Sequence, residues 1–194
     1  MANILILGAG AMSTAFAFPC SDNKHNVSIV GTHLENDNIS NLNSKYFHPG
    51  LNLKVLDTIK FFKHESIKNA LKEKPDLIVL GVSSKGIVWV ANELKKISTK
   101  GTLPQILMLT KGLSINEGKY ELLVDKLSRL LFDAGIRNLN ISAVGGPCLA
   151  AGLANRVQSG VVIANKNIDV ANKLRDLLTT SYYRISTSTD INGV

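Results

Sequence analysis

Three short segments of this chain carry residue types that do chemistry. The first is Gly8-Ala-Gly10-Ala11-Met12-Ser13, placed directly after the apolar run Asn3–Leu7. In such a turn the first glycine permits a tight reversal and the second lets the backbone approach a pyrophosphate. The helix that follows then offers unpaired N–H groups and a positive dipole end to the phosphates. A third glycine is replaced here by Ser13, still small enough for a helix to pack on a strand. The competing reading is a tight strand–helix turn that holds no ligand. The context of buried strand, Gly-x-Gly turn and small-residue helix favours a dinucleotide.

The second segment is Thr110-Lys111-Gly112, at the end of another apolar run. A lysine there stands where open α/β sheets place their ligands. Its ammonium can polarise a ketone or anchor an anion, and its competing reading is an ordinary surface lysine. Gly145-Gly146-Pro147-Cys148 is the third. It reads either as a strand-ending turn or as backbone brought close to a ligand. Cys148 has no paired histidine, so it reads as a small buried thiol rather than a nucleophile.

The choice between NAD and NADP stays open at this point. An acid about 20 residues beyond the turn would bind the ribose 2′-hydroxyl of NAD. The second apolar run ends in Gly31-Thr32-His33, and Glu35 comes a little late for that role. No arginine stands there for a 2′-phosphate, although His33 is within reach of one. His25, His33, His48 and His64 form no metal-ligand spacing, and Ser13 and Ser84 belong to no Ser–His–Asp signature.

These segments must be positioned by regular elements, and the pattern is alternation. Strands are expected at Asn3–Leu7, Asn26–Val30, Asp76–Leu80, Gln105–Leu109, Asn140–Val144, Gly160–Ala164 and Tyr182–Ser186, with weaker ones around Lys54–Leu56 and Ile59–Phe61. Helices are expected at His64–Lys72, Gly86–Lys96, Lys119–Ala134 and Ile168–Leu178. Strand–helix alternation of this length implies an α/β fold, a Rossmann-like doubly wound and mainly parallel sheet, over residues 1–194 as a single domain.

Composition narrows the function classes. The 194 residues carry a formal charge of +7, but lysines and arginines are scattered, which disfavours nucleic acid and suits small anionic ligands. No apolar run is long enough for a membrane span, and no secretory leader is read at the start. Two cysteines are too few for a disulfide scaffold, so a cytoplasmic protein is expected.

Together the segments resemble NAD(P)-dependent glycerol-3-phosphate dehydrogenases. Gly8-Ala-Gly10-Ala-Met-Ser is similar to that family's Gly-Ala-Gly-x-[Trp/Tyr]-Gly, and Tyr46-Phe-His-Pro-Gly50 to the loop after its second strand. Val79-Leu-Gly-Val-Ser-Ser84 sits where the family has a Val-Pro-Ser strand end. Thr110-Lys111-Gly112 resembles its Thr/Ser-Lys-Gly loop, and Gly145-Gly-Pro-Cys-Leu-Ala150 its Ser-Gly-Pro-[Ser/Thr]-Phe-Ala, continued by Ser159–Ala164. Asp190-Ile-Asn-Gly-Val194 resembles the opening of the segment that leads into the second domain.

The resemblance implies roles. Gly8, Gly10, Ala11, Met12 and Ser13 would hold the cofactor's phosphates, Thr32 would lie near its adenosine ribose, and Ala150 would touch it too. Lys111 would contact both cofactor and substrate as the catalytic residue in this half, with Gly146 and Cys148 beside the substrate. The reaction implied is hydride transfer between sn-glycerol 3-phosphate and NAD(P)+, giving dihydroxyacetone phosphate.

Departures are visible. Met12 replaces an aromatic, Ser83 the proline, Cys148 a hydroxyl, and Gly152 an acid. The family's principal catalytic lysine and its helical substrate domain are expected beyond the point matched by Val194. An uncovered apolar face would then favour a homodimer. The alternative reading is a standalone or truncated nucleotide-binding module without catalytic activity. Ketopantoate reductases share the turn but not the Thr-Lys-Gly and Gly-Pro-Cys segments.

Overall fold

The computed structural model describes every residue except Lys100. The chain opens with β1 (Asn3–Leu7), α1 (Ala11–Asp22), β2 (Asn26–Val30) and α2 (Asn36–Lys45). A small hairpin of β3 (Phe47–His48) and β4 (Leu53–Lys54) precedes β5 (Ile59–Phe62). Then come α3 (Ile67–Ala70), β6 (Leu77–Leu80), α4 (Ile87–Ile97), β7 (Gln105–Met108), the hairpin β8 (Leu113–Asn116) and β9 (Lys119–Leu122), and α5 (Leu123–Asp133). The chain closes with β10 (Ile141–Gly145), α6 (Ala150–Ala154), β11 (Ser159–Ala164), α7 (Ile168–Leu178) and β12 (Tyr183–Ser188).

Eight strands form one sheet in the order β12-β11-β10-β7-β6-β1-β2-β5. All neighbours are parallel except β10 and β11. The six strands from β5 to β10 reproduce the doubly wound order 3-2-1-4-5-6, so the topological switch point falls between β1 and β6.

The sheet is buried on both faces because its central strands are apolar on both sides. In β1, Ile4 and Ile6 face the core built with α1, α2, α6 and α7, while Leu5 and Leu7 face the core built with α3, α4 and α5. Helical spacing supplies the matching stripes: Ile87, Val90, Ala91 and Leu94 in α4, and Leu123, Leu127 and Leu131 in α5.

Three expected elements are corrected. Lys119–Leu122 is not the start of a helix but the return strand of a hairpin, because Glu117 and Gly118 both take positive φ (49° and 75°) and reverse the chain. The stretch His64–Lys72 holds only one α-helical turn between two 3₁₀ turns. Of Lys54–Leu56, only Lys54 lies in a strand. The Asn- and Ser-rich helix α2 was not expected; it buries only Ile39 and Leu42.

Candidate cofactor-binding site

At the switch point the ends of β1 and β6 approach each other more closely than side chains allow. Gly8 has φ +101°, and a Cβ on it would stand 2.9 Å from the Gly81 carbonyl oxygen. A Cβ on Gly81 would lie 1.9 Å from the Ser13 Oγ. Ser13 is fully buried, and its hydroxyl donates to the Gly81 carbonyl at 2.9 Å. The position usually given to a third glycine is thus filled by a serine, and the glycine that makes room stands on the neighbouring strand end.

The turn is held from its other side by α2 and β3. The Ala9 N–H donates to Glu35 Oε2 at 3.0 Å, and the Thr32 N–H donates to the same oxygen at 2.7 Å. The Ala9 carbonyl accepts from Asn38 Nδ2 at 2.8 Å and from His48 Nε2 at 3.2 Å. His48 is buried, and its Nδ1 accepts the Leu51 N–H at 3.1 Å, which assigns the ring proton to Nε2. Ala9 is therefore bonded at both of its backbone polar groups.

Gly10 is the N-cap of α1 and provides no side-chain cap; the first helical bond runs from the Thr14 N–H to the Gly10 carbonyl. The N–H groups of Ala11, Met12 and Ser13 have no protein partner among the described residues. A glycine-edged cradle with unpaired N–H groups at a helix amino terminus fits a pyrophosphate.

A second cluster forms beside β7. Thr110 Oγ1 donates to the Val82 carbonyl at 2.7 Å, tying the ends of β6 and β7 together. Gly112 (φ +119°) turns the chain away, and the exposed Lys111 ammonium reaches across to donate to the Gly146 carbonyl. Gly146 itself has φ +95°. Lys111, Gly145, Gly146, Leu122 and Val194 line a cavity of about 190 Å³. Burial pushes the half-buried Cys148 thiol up, while Ser159 and the charge of Lys111 oppose the rise; it stays a neutral thiol. Ala11, Met12, Cys148 and Ala150 all pack against one core.

The sequence model of the NAD-dependent glycerol-3-phosphate dehydrogenase N-terminus matches residues 3–171. The chain belongs to this family. An NADP(+)-dependent glycerol-3-phosphate dehydrogenase of Archaeoglobus fulgidus is 29% identical over 98% of this chain and 54% of its own length. A glycerol-3-phosphate dehydrogenase [NAD(P)+] of Mesoplasma florum is 32% identical over 98% of this chain and 55% of its own. The chain spans about half the length of the curated relatives it matches.

In fold, the domain is similar to a glycerol-3-phosphate dehydrogenase from Coxiella burnetii, with a TM-score of 0.80 at 22% identity over 98% of this chain and 55% of that one. The Plasmodium falciparum glycerol-3-phosphate dehydrogenase gives 0.79 at 18% over 96% and 52%. Both carry the Rossmann-like architecture expected from the alternation of strands and helices.

Within this dehydrogenase N-terminal domain, the sequence reading names Lys111 and Gly146 separately, and the fold puts them in hydrogen-bond contact. It also gathers Thr32 with the turn, through Glu35. Gly81, Thr110 and His48 lie in segments that carry the resemblance but are given no site role by the sequence, and Asn38 lies in none of them. Their partners lie 28 to 68 residues away, so the sequence does not show what each one holds. Among the described residues no cluster of His, Cys, Asp and Glu is fit to hold a metal, and no helix is long and apolar enough to cross a membrane.

Proposed function

We propose that this domain is the NAD(P)-binding half of a glycerol-3-phosphate dehydrogenase, with a helical second domain completing the substrate cleft in the whole enzyme. The observation that carries the reading is the pair of clusters at the carboxyl ends of β1, β6 and β7: a phosphate cradle and, beside it, the Lys111–Gly146 contact. Open α/β sheets bind their ligands at this end.

Residues of this chain divide the work. The unpaired N–H groups of Ala11, Met12 and Ser13 receive the pyrophosphate, and Gly8 and Gly10 let it come close. By the resemblance, Thr32 would lie near the adenosine ribose and Ala150 would also touch the cofactor. Lys111 directs its ammonium at the substrate, stabilising negative charge on the C2 oxygen or holding the phosphate dianion. Gly146 and Cys148 shape the floor beneath it. A bound nicotinamide would supply or accept the hydride. In the oxidative direction C2 would lose a hydride to the nicotinamide and its hydroxyl a proton to solvent, leaving the ketone of dihydroxyacetone phosphate. The same reading places the enzyme in the cytoplasm, in glycerophospholipid metabolism, and as a homodimer.

Calorimetric titration of the chain with NADH and with NADPH, assayed beside dihydroxyacetone phosphate reduction, tests this. Micromolar binding without turnover is expected of the isolated half. Absence of binding by either nucleotide would overturn the reading. Binding without turnover even when the chain is joined to a relative's second domain would favour the alternative of a non-catalytic nucleotide module.

A further inference from the structure

We infer that Glu35 sets the cofactor choice of this domain, making it a reader of the unphosphorylated ribose, selective for NAD(H) over NADP(H). The inference rests on the cofactor-binding reading above and adds to it the chemistry at one ribose hydroxyl.

Counting along the chain, Glu35 lies five residues past the end of β2, late for the ribose position. The fold removes that objection. The segment from Thr32 to Glu35 closes a tight turn, with the Glu35 N–H donating to the Thr32 carbonyl at 3.0 Å. The carboxylate folds back over the strand end, where Oε2 accepts from both the Thr32 and the Ala9 N–H groups. It thus bridges the end of β2 and the first residue inside the Gly-x-Gly turn. That is where a dinucleotide fold receives the adenosine ribose.

Two further features give the carboxylate its selectivity. Oε1 lies 3.8 Å from the position of a Cβ on Gly10 and makes no hydrogen bond to Gly10. It faces the open side of the glycine and is available to accept from a ribose hydroxyl. The charge is also uncompensated: among the described residues Glu35 forms no ion pair. No lysine or arginine occurs between Gly31 and Ser44; His33, the one basic side chain there, is exposed, and Asp37 adds a second carboxylate.

A 2′-phosphate carries close to two negative charges at neutral pH and finds no fork of donors here. It meets instead a fixed carboxylate, and like charges brought together select against the wrong partner. The carboxylate cannot swing clear without leaving the Ala9 and Thr32 N–H groups unbonded.

The test is a set of dissociation constants for NADH and NADPH, read by nicotinamide fluorescence on the whole chain and on Glu35→Gln. The same samples are titrated with adenosine 5′-monophosphate and adenosine 2′,5′-bisphosphate, which differ only in the 2′ group. NADH is expected to bind the parent at least about tenfold tighter than NADPH, and the monophosphate tighter than the bisphosphate. Glu35→Gln, which keeps an acceptor for the turn, is expected to narrow both ratios by improving the phosphorylated ligands. Thr32→Arg is expected to narrow them as well, by adding a phosphate donor with Glu35 intact. Equal or tighter binding of NADPH by the parent overturns the inference while leaving cofactor binding standing. So do ratios that neither variant moves. Failure of both nucleotides to bind the parent overturns the cofactor reading itself.

Discussion

The hydroxyl of Ser13, in the first turn of α1, donates to the carbonyl of Gly81 at the end of β6, 2.9 Å away across the switch point. This contact presses α1 onto the sheet, and it tolerates nothing larger than hydrogen at position 81. Gly81→Ala is therefore expected to force β6 and α1 apart. Overpacking of this kind costs about 1–3 kcal/mol. Ser13→Ala, which loses only the bond, is expected to cost about 1 kcal/mol. Thermal melts order the two variants, and nucleotide titration should show weaker binding for Gly81→Ala. An unchanged melting temperature in Gly81→Ala would show that the helix is not clamped there.

Much of this architecture was legible in the sequence. The central strands were found because they are buried on both faces and therefore apolar at successive positions, as in Leu77–Leu80. The hairpin Leu113–Leu122 was hidden because its reversal uses Glu117-Gly118 rather than an Asn-Gly or Asp-Gly pair, and because Lys119–Leu122 runs straight into the apolar stripe of α5. Helix α2 escaped because it covers the sheet with two apolar residues among asparagines and serines, which favour turns. In the candidate site, residue types at fixed spacing pointed to the turn and to the lysine. The supports did not show, since Glu35, Asn38 and His48 reach the turn through space from residues 26 to 39 positions away.

Lys111 makes one hydrogen bond, to the Gly146 carbonyl, and its ammonium is exposed. Lys111→Met is expected to leave stability within about 0.5 kcal/mol of the parent, as an exposed substitution does. If the proposed dehydrogenase function holds, reduction of dihydroxyacetone phosphate by the chain joined to a relative's second domain is nonetheless expected to fall by about 100-fold or more. Lys111→Arg should not restore it, because a planar guanidinium cannot present a compact charge at the same place. Turnover retained by Lys111→Met would remove this lysine from the chemistry.

His48 is bonded at both ring nitrogens inside the core, to the Leu51 N–H and to the Ala9 carbonyl. His48→Leu keeps the bulk and abolishes both bonds. Leaving the Leu51 N–H unpaired is expected to cost about 1–3 kcal/mol. Because Asn38 still holds the Ala9 carbonyl, cofactor affinity should fall only a few-fold. A double variant that also carries Asn38→Ala should lose far more affinity than the two single changes add up to. Strict additivity in the nucleotide dissociation constants would mean that the two side chains do not share the task of holding Ala9.

A single carboxylate also ties together three elements on the α1 side of the sheet. Asp22, at the end of α1, accepts two bonds from Arg156 at 2.8 and 2.9 Å and one from the Tyr182 hydroxyl at 2.6 Å. Arg156 follows α6 with φ +59°, a strained value for a non-glycine residue. Tyr182 precedes β12. Burial raises the Asp22 carboxyl, but the bonds from Arg156 and Tyr182, with the charges of Arg156 and Lys24, outweigh it and hold the group below its ordinary value of 3.8. A depressed folded value means that the charged form stabilises the fold. That contribution is fully present above pH 3.8 and is lost as the pH falls through the lower folded value. Asp22→Asn is expected to cost about 1 kcal/mol at pH 7, a figure kept small because the pair is partly open to solvent. Urea denaturation across the acid range should show the stability gap between parent and variant closing below the ordinary aspartate value. A gap that keeps the same size at all pH values would mean that the lost contribution is packing rather than charge.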